Sequence, residues 1–407
     1  MNASAPPSKS ISNEAKAKRS AGFIVILGIL SAFGPLSLDM YLPALPLITQ
    51  ELNTSASLAQ LSITACLLGL ALGQLLAGPL SDKLGRRKPL IVSLAIYAVA
   101  SFICTFAPNI SVLLFFRLLQ GLAGSAGIVI SRAMARDLYS GYELTKFFAL
   151  LMLVNGTAPI LAPVLGGALL TLIPWRGVFV VLGFIGIAML FAVTLRLGET
   201  LPEERRSSGG VGQTLSTFGD LFKDRSFMGY ALTQSATAIA LFSYISGSSF
   251  VLQNLYHVTP QTFSLIFALN GFGMVLASQT TGRLAGRMSA ERLLAGALAL
   301  IVLGTGALLA AILAEARLLF LMIPLFIAVA SIGGVNITCN SLALQNQKKH
   351  AGSASAILGL LPYLAGAAAS PLVGIAGENS ALPMGFLMAG ASVLAVLFFF
   401  LLARRKG

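Results

Sequence analysis

A carboxylate and a guanidinium, Asp39 and Arg117, are the charged side chains that fall well inside long apolar runs of this chain. A charge at the centre of a membrane helix costs about 2.5–3.5 kcal/mol on insertion scales, so such a residue is paired, faces a wet cavity, or both. Desolvation favours the neutral form of a carboxyl, which makes Asp39 the leading candidate for binding and releasing a proton. Asp39 lies seven residues before Pro46, and Arg117 seven residues after Ile110. With those positions as helix ends on one side of a membrane, both side chains sit about 10 Å deep, and a direct or water-bridged pair is possible. Protonating Asp39 would then weaken its hold on Arg117 and free the site to change state.

Other clusters carry ordered chemistry. In Gly78-Pro79-Leu80-Ser81-Asp82-Lys83-Leu84-Gly85-Arg86-Arg87-Lys88, the glycines at 78 and 85 permit close approach and a tight turn. Asp82 can neutralise a neighbouring arginine or meet a helix N-terminus. In Ala158-Pro159-Ile160-Leu161-Ala162-Pro163-Val164-Leu165-Gly166-Gly167, the two prolines remove backbone donors and predict a bend, while the small residues let a neighbouring helix pack closely. Tyr41, Gln120, Asn155, Gln234, Tyr244, Asn270, Asn336, Asn340 and Tyr363 are polar positions within apolar runs. They are candidates for lining a cavity, because small-molecule sites are mostly apolar with a few placed polar groups. Cys66, Cys104 and Cys339 all fall in apolar runs and read as small buried hydrophobes. His257 and His350 fall between runs, so neither is an intramembrane relay. The sequence offers no metal-ligand cluster and no nucleophile–base arrangement, so no catalytic or metal role is expected.

The elements that must hold these residues are membrane helices. The chain has 407 residues, of which 56% are hydrophobic and 10% charged, and a mean hydropathy of +0.87; soluble domains carry about 25% charged residues. Continuous apolar runs of about 20 residues match a hydrocarbon core of about 30 Å, and lipid leaves only helices or closed barrels as spanning structures. The runs do not alternate, which excludes the barrel. They fall near 21–46, 57–79, 89–107, 111–131, 146–170 and 175–196, then 227–252, 260–282, 290–313, 317–342, 351–375 and 381–402. The run from Ala21 continues past any signal-peptide length and is read as the first, retained helix.

The net charge of +13 is explained by topology rather than by a nucleic-acid partner. With the N-terminus in the cytoplasm, every basic residue except Arg117, Arg176 and Arg317 falls on the cytoplasmic side, as the positive-inside rule demands. That side takes Lys9, Lys16, Lys18 and Arg19 of the tail, Arg132, Arg136 and Lys146 between the fourth and fifth spans, Lys348 and Lys349, and Arg404, Arg405 and Lys406 at the end. The expected organisation is an N-terminal tail (1–20), a six-helix half (21–197), a central cytoplasmic loop (198–226), a second six-helix half (227–402) and a short tail (403–407). An internal echo supports duplication: Gly78, Leu80 and Lys83 correspond, 204 residues on, to Gly282, Leu284 and Arg287. Paired six-helix repeats place substrate between the halves near the membrane midplane.

At these motifs the chain resembles the major facilitator superfamily. Residues 78–88 resemble its signature between helices 2 and 3, G-x-L-a-D-r-x-G-r-k. Arg117-Leu118-Leu119-Gln120-Gly121-Leu122-Ala123-Gly124-Ser125 resembles the helix 4 signature, R-x-x-q-G-x-g-a-a. Residues 158–167 are similar to the antiporter signature of helix 5, with Ala158 and Ala162 where that pattern prefers glycine. Pro35-Leu36-Ser37-Leu38-Asp39-Met40-Tyr41-Leu42-Pro43-Ala44-Leu45-Pro46 closely resembles helix 1 of the bicyclomycin-resistance (Bcr/CflA) branch of drug:proton antiporters. The resemblance implies a rocker-switch exporter in which Asp39 takes the proton, Arg117 tunes it, and Asp82 with Arg86, Arg87 and Lys88 locks the cytoplasmic gate.

The expectation is a twelve-helix, all-α carrier of the bacterial inner membrane. It would export small amphipathic drugs, neutral or weakly charged, in exchange for protons, as a monomer and without a cofactor. A carrier for a cellular metabolite such as a sugar or amino acid, by antiport or symport, is the alternative. No G-x-x-x-x-G-K-[ST] loop is present, which argues against ATP-driven pumping.

Overall fold

A computed structural model describes residues 21–206, 219–345, 347 and 351–403. The tail lysines and arginines at both ends, Lys348, Lys349 and His350 lie outside the described residues. Among the described residues, twelve membrane-length helical stretches follow one another in the expected order. Helix α1 comprises Ala21–Ser31, Phe33–Asp39 and, after a 3-10 turn at Leu42–Ala44, Leu45–Glu51. Then come α2 (Ala56–Leu84), α3 (Arg87–Thr105), α4 (Ile110–Leu138), α5 (Gly141–Leu169) and α6 (Arg176–Arg196). The second half has α7 (Arg225–Phe250), α8 (Pro260–Leu284), α9 (Ala290–Leu313), α10 (Leu318–Gln345), α11 (Ala351–Ala369) and α12 (Leu382–Phe398).

Local chemistry sets the starts. Ser55, Asn109, Thr259 and Ser289 each accept a hydrogen bond from the backbone three residues on, and Asp224 caps α7 by accepting from Ser226 and Phe227. Ten of the helices are long and apolar enough to cross a membrane; the bent α1 pair adds an eleventh, and α5 contributes the apolar stretch Leu153–Leu169. Exposed Leu76, Val92, Val99, Phe115, Leu303 and Phe320 belong to an apolar belt suited to lipid.

Inside each half, small residues let backbones touch. A Cβ on Gly69 of α2 would lie 2.2 Å from the Leu118 carbonyl, and one on Gly121 of α4 would lie 2.2 Å from that of Cys66. In the second half Gly333 of α10 meets the Met274 carbonyl of α8 in the same way, at 2.1 Å. The duplication seen in the loop echo thus recurs in packing, since α8 and α10 stand where α2 and α4 stand in the first half.

Helix shape adds to what the apolar runs announce. A sharp bend lies in α1, where Gly22–Ser31 and Phe33–Glu51 meet at 43°. Pro35 accounts for it, because it lacks an N–H and its ring collides with the carbonyl four residues back. Helix α5 is assigned unbroken through Pro159 and Pro163. In addition, α1 runs on to Glu51 and α4 to Leu138, each beyond the apolar run that announced it.

Candidate functional site

The halves meet along α2 against α11 and α5 against α8. The end carrying the α2–α3 loop is called the basic end, and the opposite one the far end. Five hydrogen bonds tie the halves together toward the far end. Ser57 Oγ donates to Pro371 O at 2.9 Å, Gln60 Nε2 to Ser246 O at 3.1 Å, and Thr64 Oγ1 to Ala367 O at 2.9 Å. Gln253 Nε2 donates to Pro43 O at 3.2 Å, and Gln261 Nε2 to Gly167 O at 3.1 Å. Toward the basic end a cavity of about 410 Å³ separates α2 and α4 from α11.

The α5 glycines lie at this end, Gly166 packing within the first half and Gly167 against the second. A Cβ on Gly166 would lie 1.8 Å from the Met40 carbonyl, and one on Gly167 would lie 2.3 Å from Ser264 Oγ of α8. Ala158, Ala162 and Pro163 are buried in the same helix, and Pro159 reaches the space between the halves.

Asp39 is 6% exposed and lines a pocket of about 150 Å³ between the halves, facing Phe242, Tyr244, Phe267 and Tyr363 of the second half. Tyr244 accepts a bond from Asn270 Nδ2 at 3.0 Å and stacks on Phe267 with ring centroids 5.2 Å apart. Among the described residues no ion pair joins Asp39 to Arg117. Arg117 is fully buried inside the first half, its guanidinium 4.3 Å above the Tyr41 ring and bonded to Gln120, which donates in turn to Ser101 at 2.7 Å. Its Nε and Nη2 have no hydrogen-bond partner among the described residues.

The expected pair is missing for two geometric reasons. With α1 ending at Glu51 rather than Pro46, Asp39 lies some five residues, or about 7 Å, deeper than the spacing argument assumed. Two positions along a helix turn a side chain by about 200°, so Tyr41 faces Arg117 while Asp39 faces the second half. Tyr41 and Gln120 accordingly hold Arg117 instead of lining either cavity.

The remaining polar candidates scatter. Gln234 is buried on α7 with its Oε1 unpartnered among the described residues, and Asn155 and Asn336 are half-buried. Asn340 bonds its own helix through Asn336 O at 2.8 Å.

At the basic end the 78–88 segment forms a tight network. Gly78 and Asp82 line the cavity. Arg86 lies between two carboxylates, bonded to Asp82 and donating from Nε to Asp137 Oδ2 at 2.9 Å, with Ser81 Oγ on Nη1 at 2.9 Å. Arg87 donates to Thr194 O at 2.6 Å, and Lys88 is exposed. Glu199, just past α6, accepts from the backbone N–H of Arg86 at 2.8 Å and of Arg87 at 3.1 Å, capping α3. Gly85 has φ +84°, and a Cβ there would lie 2.4 Å from Glu199 Oε2, so both backbone and space require glycine. Partial burial pushes the Glu199 carboxyl up, but the backbone donors of Leu201, Arg86, Arg87 and Thr200 outweigh it and hold it below the usual range. Sequence reasoning missed Asp137 and Glu199; an acid within a few residues of the end of an apolar run, on the side crowded with arginines, was the available signal.

Such a bundle, with a polar cavity at the basic end and an apolar pocket beside Asp39 between its halves and with lipid-suited flanks, is that of a multi-pass membrane transporter rather than an enzyme. The family model for the Major Facilitator Superfamily matches residues 27–370, and the chain belongs to that superfamily. It is 45% identical to the "Uncharacterized MFS-type transporter YdgK" of Bacillus subtilis over 94% of this chain and 95% of that one. It is 31% identical to a "Bicyclomycin resistance protein homolog" of Haemophilus influenzae, over 94% and 96%. A bacterial homologue of the human lysosomal transporter Spinster, solved inward-facing and unoccupied, superposes with a TM-score of 0.73 over 97% of each chain at 16% identity, a likeness of fold alone.

Proposed function

We propose that the protein is a proton-coupled exporter of small amphipathic compounds, neutral or weakly charged, working by alternating access in the bacterial inner membrane with both termini cytoplasmic. It draws on the proton gradient, uses no cofactor and works as a monomer. The observation that carries this reading is Asp39: a carboxyl with no ion-pair partner among the described residues, set in an apolar pocket at the interface between the halves. Ionised carboxylates are costly in such surroundings, so protonation and rearrangement of that interface are coupled. The relative named for bicyclomycin resistance supports drugs over metabolites as the cargo.

With the basic end cytoplasmic, the conformation described is closed outward and open inward. Drug enters through the basic-end cavity. After the switch it leaves at the far end, where Asp39 takes a proton that it later releases to the cytoplasm. Each charge crossing 100 mV supplies about 2.3 kcal/mol. The test is drug-induced proton release from everted vesicles across a panel of neutral and charged antibiotics, comparing the intact protein with Asp39→Asn. Release that is lost in the variant is expected; a variant as active as the parent places the coupling elsewhere and defeats the reading.

A further inference from the structure

Of the three guanidiniums lining the basic-end cavity, Arg86 has two carboxylates to itself, Asp82 and Asp137. Arg136 leans over the Phe148 ring at 5.8 Å. Arg132 is left. It lies on α4, fifteen residues or about 22 Å beyond Arg117, inside a stretch that the sequence assigned to a loop and the structure assigns to helix. Its side chain is solvent-accessible in the cavity, and among the described residues nothing bonds to it or pairs with it. Of the chain's 14 acidic residues only Glu14 is outside the described set. A three-to-two excess of guanidinium over carboxylate leaves the cavity positive.

The neighbourhood suits a bound anion with an apolar body. Gln74 of α2 and Ser355 of α11 line the cavity from opposite halves and offer neutral donors. Leu360 of α11 lines the cavity, and Tyr363, about one turn further along the same helix, lines the apolar pocket beside Asp39. The cavity and the pocket thus follow one another along α11.

Building on the exporter reading, we propose that Arg132 selects the cargo: the protein takes amphipathic weak acids, holding their anionic group on Arg132 with the apolar body toward Tyr363, and turns organic cations away. A guanidinium without a competing carboxylate offers a carboxylate a bidentate, charge-assisted contact, and refuses a cation by like-charge repulsion.

The test uses three ligands of one shape, 1-naphthoate, 1-naphthamide and 1-naphthylmethylammonium, titrated by calorimetry into the full chain in nanodiscs at neutral pH. The expected order is naphthoate tightest by at least ten-fold, then naphthamide, then the ammonium. R132Q should bring naphthoate down to the naphthamide level and leave naphthamide within about two-fold. R136Q, one turn further on, should keep the preference. Equal binding of the three ligands by the intact protein overturns the proposal without needing any variant to fold. So does an R132Q protein that loses naphthoate and naphthamide alike, which would make Arg132 a scaffold residue. The exporter reading stands or falls separately: proton release with neutral drugs alongside indifference to the naphthyl acid would sink Arg132 as selector and keep the exporter. Naphthoate preference without proton release by any drug would do the reverse.

Discussion

At the scale of single residues, the two intramembrane charges act as separate devices. Arg117 is held by a flat ring on one side and an amide on the other, a geometry that depends on the planar guanidinium and not only on its charge. Arg117→Lys is therefore expected to lower drug-dependent proton flux at least ten-fold at unchanged protein level, and flux near the parent's would show that charge alone suffices. Because Asp39 and Arg117 form no ion pair, the effects of Asp39→Asn and Arg117→Lys on unfolding free energy should add to within about 0.5 kcal/mol in the double variant. A larger coupling, measured by denaturant unfolding in detergent, would mean that the two do meet. Scarcity made both residues legible in the sequence, since a charge in an apolar run stands out. Their partners were not legible, because which face of α1 carries Asp39 depends on the bend at Pro35 and on the helix continuing past Pro46, where apolar character alone gives no boundary.

At the scale of elements, the ends of α2, α3, α4 and α6 are fastened by Glu199, Arg86 and Asp137. The Glu199 carboxyl is held below its ordinary range when folded, so its contribution is present at neutral pH and is lost as pH falls through that depressed value. The group is solvent-exposed and screened, which limits the effect of Glu199→Ala to about 1 kcal/mol or less at pH 7. The gap between variant and parent in thermal unfolding should close on acidification below the glutamate range; a gap that widens there would assign Glu199 a different role. The glycine pair of α5 separates packing within a half from closure between halves. Gly167→Val should prise α5 from Ser264 of α8 and loosen the far end, raising maleimide labelling of a Thr64→Cys reporter in a background whose three native cysteines are alanine. Unchanged labelling would show that the far-end closure does not depend on that contact. The motif in α5 was legible from its small residues, whereas its target across the interface was not, because no sequence spacing states which helix of the other half lies opposite.

At the scale of the whole molecule, the halves are joined toward the far end by hydroxyl and amide groups donating to backbone carbonyls. None of those donors titrates in the physiological range, so the closure carries no pH sensitivity of its own. The twelve-helix order and the duplication were readable from runs and loop charges, but this uncharged seam was not, since serine, threonine and glutamine occur throughout both halves. If proton binding drives the switch, its influence must enter through a group in the interface, and Asp39 is placed there. Acid should therefore favour the far-closed state, in which the protonated carboxyl can rest in its apolar pocket, and alkali should open the far end as an ionised carboxylate seeks water. Labelling of the Thr64→Cys reporter is expected to rise several-fold as pH is raised from about 5 to 9, after correction for the thiolate fraction with a surface cysteine control. In Asp39→Asn the corrected profile should be flat and resemble the acid limit. A pH response that survives the substitution would mean that another group senses the proton.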